Sequence, residues 1–161
     1  MPISADEFKA AMGLRASGVS IVTARAGDEI HGMTMTDFAG VSLAPPLALI
    51  CAEKSANTLR VIQKGGNFAI NLLAQGQDAL SNKFASKKDE WTRFDGLDCG
   101  RASTGAPLIP GSLASLDCRV IAQHDAGDHI VVVGEIEAFV RGDGDPLLYF
   151  RGGYRALAAA R

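Results

Sequence analysis

Residues 53–58, Glu53-Lys54-Ser55-Ala56-Asn57-Thr58, run from an apolar stretch into a helical one. The first N–H groups of a helix have no partner inside it, and the helix dipole favours negative charge there. Ser55 and Thr58 add hydroxyl donors and Lys54 a positive charge, so the segment suits a bound anion such as phosphate. The same residues also read as plain capping, with Ser55 or Asn57 satisfying the helix start. A second polar group, His124-Asp125-Ala126-Gly127-Asp128-His129, has metal-ligand residue types but no third strong ligand close in sequence. Hairpin-loop polarity accounts for it, and no metal site is expected.

Other familiar patterns fail on single residues. Residues 13–20 have phosphate-loop glycine spacing, but Val19 stands where the lysine is required. No G-x-G-x-x-G opens a helix after a strand, and no G-x-S-x-G marks an acyl-transfer nucleophile.

The elements that would position these residues are mostly strands. Phe8, Ala11 and Met12 have helical spacing in a short opening helix over residues 5–12. A β-branched strand follows at 19–23, then a Gly27-Asp28 turn and a strand entering at Ile30. The run Leu47-Ala48-Leu49-Ile50-Cys51 behind Pro45-Pro46 predicts a strand buried on both faces. Helices are expected over 57–63, ended by Gly65-Gly66, and over 77–84, with a strand at 68–73 between them. A polar loop spans 87–110, anchored by Trp91 and Phe94. Strands at 113–123 and 130–140 flank a six-residue hairpin loop, and a last strand covers 147–150. Asn71 reads as a strand asparagine that satisfies backbone groups. Strands outnumber helices without β-α-β alternation, which predicts a closed or partly closed antiparallel barrel with helices outside.

The bulk numbers fit one domain over residues 1–161, with 47% hydrophobic and 21% charged residues. Sixteen basic and eighteen acidic side chains give a net charge of -2, so neither nucleic acid nor an anionic membrane is an expected partner. No apolar run reaches membrane-span length, and the N-terminus lacks a secretion-signal layout. Cys51, Cys99 and Cys118 are odd in number and widely spaced, which favours reduced thiols and a cytoplasmic location.

One segment carries a longer pattern: Gly32-Met33-Thr34, a polar pair, Phe38-x-x-Val41-Ser42-Leu43-x-Pro45-Pro46, the apolar run, and the hydroxyl-rich helix start. In this order it closely resembles the flavin reductase-like family, whose fold is the FMN-binding split barrel of Greek-key type. The strand at 18–23, the strand at 68–73, Thr104-Gly105-Ala106-Pro107-Leu108, Gly127-Asp128-His129 and Gly152-Gly153-Tyr154 match as well, so the resemblance covers nearly the whole chain. It implies that Thr34, Met35, Thr36 and Asp37 lie along the flavin, and that Val41, Ser42 and Leu43 flank its ring. Cys51, Ala52, Glu53 and Lys54 would sit near the ring's polar edge, and Ser55 with Thr58 would hold the phosphate. Ala85 would lie close to the cofactor, His129 would meet the nicotinamide donor, and Tyr154 would approach from the C-terminal end. Many relatives have Ala-Asn-Ser where this chain has Met35-Thr36-Asp37.

The resemblance further implies a homodimer with flavin sites near the subunit interface. The activity it implies is NADH- or NADPH-dependent reduction of FMN, with FAD as the alternative flavin. Hydride would pass from nicotinamide C4 to flavin N5, so the protein's task is to stack two rings. Reduced flavin would then leave for a partner monooxygenase. Related split barrels offer two other roles: a flavin- or haem-binding carrier or sensor, and an FMN-retaining reductase of ferric iron or a corrinoid.

Overall fold

A computed structural model describes residues 1–88 and 90–158. Helix α1 (Ala5–Gly13) begins at Ser4, whose hydroxyl accepts the Glu7 N–H while the Glu7 carboxylate accepts the Ser4 N–H. None of its residues is buried, so Phe8 and Met12 lie exposed. The chain continues through β1 (Ser17–Gly18), β2 (Ser20–Ala26), β3 (Glu29–Met35), β4 (Phe38–Leu43) and β5 (Pro46–Glu53). Helix α2 (Asn57–Gly65), β6 (Asn67–Leu72) and α3 (Asp78–Ala85) follow. Then come β7 (Ala114–Ala126), β8 (His129–Arg141), β9 (Leu148–Phe150) and β10 (Gly153–Arg155).

Seven strands form one antiparallel sheet in the order β3-β2-β6-β7-β8-β5-β4, and β1-β9-β10 form a small second one. Strands β6, β7 and β8 run as a meander, and β5 returns beside β8, which is a Greek key. The two edges, β3 and β4, are consecutive in the chain and separated only by Thr36-Asp37. Extended chain covers at most about 3.6 Å per residue, so this corner forces the sheet to curl until its edges meet there. Away from the corner no ladder joins β3 to β4, so the barrel is split. The expected fold class is therefore what the chain adopts.

Val22, Ile50, Phe68, Ile70 and Val132 fill the barrel with Val61 and Ile62 of α2. Ile21, Leu73, Phe84 and Ile109 form a second layer outside it. Strands β2 and β6 are thus the ones covered on both faces. The run at 47–51 is not: Ala48 and Ile50 point inward, while Leu47, Leu49 and Cys51 are only half-buried. Strand β4 was hidden inside the resemblance segment. It is an exposed edge with a bulge between Gly40 and Ser42.

The hairpin at 124–129 also differs from expectation. Strands β7 and β8 extend to Ala126 and His129, leaving Gly127-Asp128 as the whole turn, with Gly127 at φ 66. A left-handed glycine in the first central place suits a two-residue hairpin. His129 is therefore a strand residue paired with Glu53 across the β5–β8 ladder, not a loop residue. Phe94 anchors its loop edge-on against Phe84 at 5.1 Å, whereas Trp91 is 78% exposed and anchors little. Asn71 behaves as expected, fully buried with its amide fully engaged.

Candidate functional site

The corner between β3 and β4 opens into three adjoining hollows. The first, about 320 Å³, lies against the start of α2 and is lined by Glu53, Ser55, Asn57, Thr58 and Arg93 among others. The second, also about 320 Å³, is bounded by Thr34, Met35, Ala85 and Tyr154. The third, about 630 Å³, runs between α1 and the β5–β8 pair and includes Asp37, Cys51 and His129. Thr34 and Ala85 line both of the first two, and Thr36 and Tyr149 line both the second and the third. Together they form one groove along Thr34–Asp37.

At the α2 end, the N-cap is Ala56, which supplies no side-chain cap. The capping alternative fails because the two candidates are used elsewhere. The Ser55 hydroxyl donates to Glu53 at 2.6 Å, and the Asn57 amide donates to Glu90 at 2.9 Å. A helix start without a side-chain cap beside a hollow is a ready anion site. Arg93 adds buried positive charge on the same wall, donating to Gly32 O at 2.6 Å and Ser86 O at 2.8 Å. The Asn57 bond, more than any other influence, holds the Glu90 carboxyl below the usual carboxylate range.

In the middle of the groove, Thr34 donates its hydroxyl to Ser81 O at 2.5 Å, which ties β3 to α3. The Tyr154 hydroxyl lies 2.9 Å from Ser81 Oγ and donates to Asn82 Oδ1 at 2.8 Å, fixing the C-terminal sheet against the same helix. The approach is close: a Cβ on Gly32 would stand 2.9 Å from Phe84 Cε1 and 3.2 Å from Phe94 Cζ. Gly32→Ala should cost about 1–3 kcal/mol of stability through overpacking. Chemical denaturation of the variant against wild type checks this.

The third hollow is the most open. Period-two alternation puts Cys51, Glu53, Val131 and His129 on the outer face of the β5–β8 pair. His129 Nδ1 is 2.7 Å from Asp128 Oδ1, and this contact is the main reason the Asp128 carboxyl is held below its ordinary value. Burial, then the Asp37 charge, pushes the Cys51 thiol up, so it stays protonated. Asp37 is ion-paired with Arg15 at 2.7 Å across the groove mouth.

Most of the expected residues line the groove: Thr34, Met35, Thr36, Asp37, Cys51, Glu53, Ser55, Thr58, Ala85, His129 and Tyr154. Met35 is nearly buried, so it offers the groove mainly backbone. Ala52 points into the barrel core, and Lys54 pairs with Asp125 at 2.8 Å. Val41, Ser42 and Leu43 sit on the exposed edge strand and line none of the three hollows. Four residues at the groove were not expected: Arg93, Glu90 and Arg15 on its walls, and His31 buried behind Thr58. His31 sits next to Gly32-Met33-Thr34, the only local hint for any of them. Among the described residues no group of three or more His, Cys, Asp or Glu is placed to hold a metal, and no helix is long and apolar enough to cross a membrane.

A Greek-key split barrel whose strand corner opens into a groove ending at a helix start is the architecture of the flavin-binding split barrels. The chain belongs to the flavin reductase-like family, whose domain model matches residues 12–158. It is 41% identical over 147 residues to an FMN reductase (NADH) of Agrobacterium fabrum, covering 91% of this chain and 83% of that one. It is also 41% identical over 153 residues to the reductase component of a 4-hydroxyphenylacetate 3-monooxygenase of Thermus thermophilus, covering 94% and 96%. Among solved structures, the NADH:FAD oxidoreductase of Streptomyces globisporus superposes with a TM-score of 0.91 at 32% identity, covering 98% of this chain and 96% of that one.

Proposed function

We propose that this chain is an NAD(P)H-dependent flavin reductase, built as one domain, that passes reduced FMN to a partner monooxygenase. The observation that carries the reading is the continuous groove from the start of α2 to the hollow beside His129. Its three hollows leave room for two ligands, one anchored by an anion and one entering from the open end. The donor set fits a flavin: hydroxyls and a helix start for the phosphate, the backbone of the β3–β4 corner at Thr34–Asp37 for a flat ring, and aromatic Tyr149 and Tyr154 alongside. When bound, the flavin supplies the redox chemistry by taking a hydride from the dihydronicotinamide.

The protein's own part is placement. Ser55, by turning its hydroxyl away from Glu53, would hold the phosphate together with Thr58, and Thr34, Thr36 and Asp37 would lie along the ring. Cys51 and Glu53 would stand near its polar edge, and Ala85 would leave room for close approach. Tyr154 closes the C-terminal side. A flavin held by these residues would leave the hollow beside His129 for the nicotinamide, and hydride transfer between stacked rings would need no acid or base from the protein.

His129, lining the open hollow, would hydrogen-bond the carboxamide of the entering nicotinamide. His129→Ala should raise KM for NADH about tenfold, the worth of one such bond, while KM for FMN moves less than about twofold. Steady-state kinetics with each substrate varied in turn gives both values.

Two further readings complete the proposal. The exposed apolar edge of β4, with Leu43 at 92% exposure, is a surface that folded chains normally cover, and a second copy covering it makes a homodimer. Leu43→Glu should then shift a dimeric sedimentation coefficient to the monomer value, whereas a monomeric wild type would refute the dimer. The location proposed is the cytoplasm, where reduced nicotinamides and reduced thiols are kept. The activity itself is tested by following NADH and NADPH oxidation with added FMN. Flavin-dependent consumption of either is expected, and its absence with both would remove the reading.

A further inference from the structure

His31 lies in β3 opposite Ala24, one residue before the close approach at Gly32, and is 4% exposed. Its Nδ1 is 2.7 Å from Thr58 Oγ1, on the wall of the anion hollow. Its Nε2 is 3.3 Å from Glu90 Oε1, out of line for a hydrogen bond, and has no hydrogen-bond partner among the described residues. Trp91 stands edge-on to the ring with centroids 6.3 Å apart. Among the described residues, the charged groups facing it are Glu90 and Arg93 from the loop after α3, Arg60 from α2 and Glu29 from the start of β3. Burial first, then Arg93, holds the imidazole below its ordinary value, so the ring is neutral near pH 7 when the hollow is empty of anions.

A neutral ring constrains Thr58. With its proton on Nε2, facing Glu90, the ring accepts at Nδ1, and the single hydroxyl proton of Thr58 is spent on it. An anion in the hollow would then meet oxygen lone pairs. With the proton on Nδ1 instead, the bare Nε2 lone pair faces the Glu90 carboxylate. Only the doubly protonated ring both faces Glu90 with an N–H and leaves the Thr58 hydroxyl proton free for an anion. Its Nδ1–H donates to Thr58 Oγ1, which frees the hydroxyl proton, and its Nε2–H faces Glu90.

We propose that His31 is a positioning residue that turns the Thr58 hydroxyl toward the flavin's phosphate and takes up a proton when that phosphate binds. The proposal rests on the phosphate occupying the α2 hollow. A phosphate dianion there and the Glu90 carboxylate place two negative charges around one imidazole, which favours its cation. The proton comes from solvent, is held on the ring, and returns to solvent on release of the flavin. His31 touches neither reacting ring, so its effect falls on flavin binding and its proton balance rather than on the hydride step.

The experiment compares FMN with riboflavin, which lacks the phosphate. Calorimetric titrations of the full chain near neutral pH, in buffers of different ionisation heat, give protons taken up per flavin bound. Wild type should bind FMN more tightly than riboflavin and take up a proton only with FMN. His31→Asn keeps a donor near the Nδ1 position, so it should retain most of the FMN preference yet lose the proton uptake. NMR of the wild-type imidazole supplies a readout that needs no variant: its titration should move to higher pH with FMN and stay put with riboflavin. An FMN preference with an unmoved His31 titration, or uptake equal in His31→Asn and wild type, overturns the proposal while leaving the phosphate subsite standing. Equal affinity of wild type for FMN and riboflavin removes the subsite and the proposal together.

Discussion

Replacing Ser55 with alanine and Thr58 with valine together weakens FMN binding roughly 100-fold, while riboflavin binding changes by less than about threefold. Hydrogen bonds to a charged group contribute about 1.5–3 kcal/mol each, and two lost donors give the lower end of that sum once water refills an open hollow. Only a ligand with a phosphate senses both hydroxyls, so the selectivity carries the prediction. Thr58→Val also leaves His31 Nδ1 without the partner it has at 2.7 Å, which lowers stability for either ligand alike. The ratio of the two dissociation constants, from quenching of flavin fluorescence, separates the effects. An equal loss for both flavins would place the phosphate elsewhere.

Asn71→Ala lowers the stability of the chain by about 3–5 kcal/mol, the range for breaking a buried polar network. Asn71 is fully buried in β6, where its amide donates to Ile21 O at 3.0 Å and to Thr23 Oγ1 at 3.2 Å. Its carbonyl oxygen accepts from the Ile109 N–H at 3.0 Å and from Ser115 Oγ at 2.7 Å. One side chain thus ties β2, β7 and the segment before β7 to a central strand. Truncation leaves those groups without partners in a place water does not reach. Thr23 passes the linkage on, donating to Pro107 O at 2.5 Å. A shift of the urea midpoint at constant slope is the expected signature. A change below about 1 kcal/mol would mean that water or a neighbour replaces the amide.

How far the sequence discloses this molecule depends on what each residue faces. Strands β2 and β6 are legible because both their faces are packed, leaving β-branched and aromatic runs. Strand β5 has a similar run for a different reason. Its outer residues Leu47, Leu49 and Cys51 are only half-buried, so composition alone overstates their burial. Strand β4 shows no alternation because nearly all of it is exposed, so it escapes a search for periodicity. The ends of β7 and β8 protrude past the core, and their polar residues look like a loop although the ladder continues to Ala126 and His129.

The site divides in the same way. Ser55 and Thr58 were legible because a helix start is a local feature. His31, Glu90 and Arg93 were not, since they meet only when the loop after α3 folds back on β3. The contact between Arg15 and Asp37 likewise spans 22 positions. Asp37, a departure from the common family residue, is balanced by that arginine at the mouth of the groove.

The most direct test mixes the FMN-loaded protein with NADH in the absence of oxygen and follows the flavin's visible absorbance. Rapid bleaching in a single turnover, slowed at low NADH by His129→Ala, is the predicted result. A spectrum that neither NADH nor NADPH changes, while a chemical reductant bleaches it, would contradict the assignment of this chain as a flavin reductase.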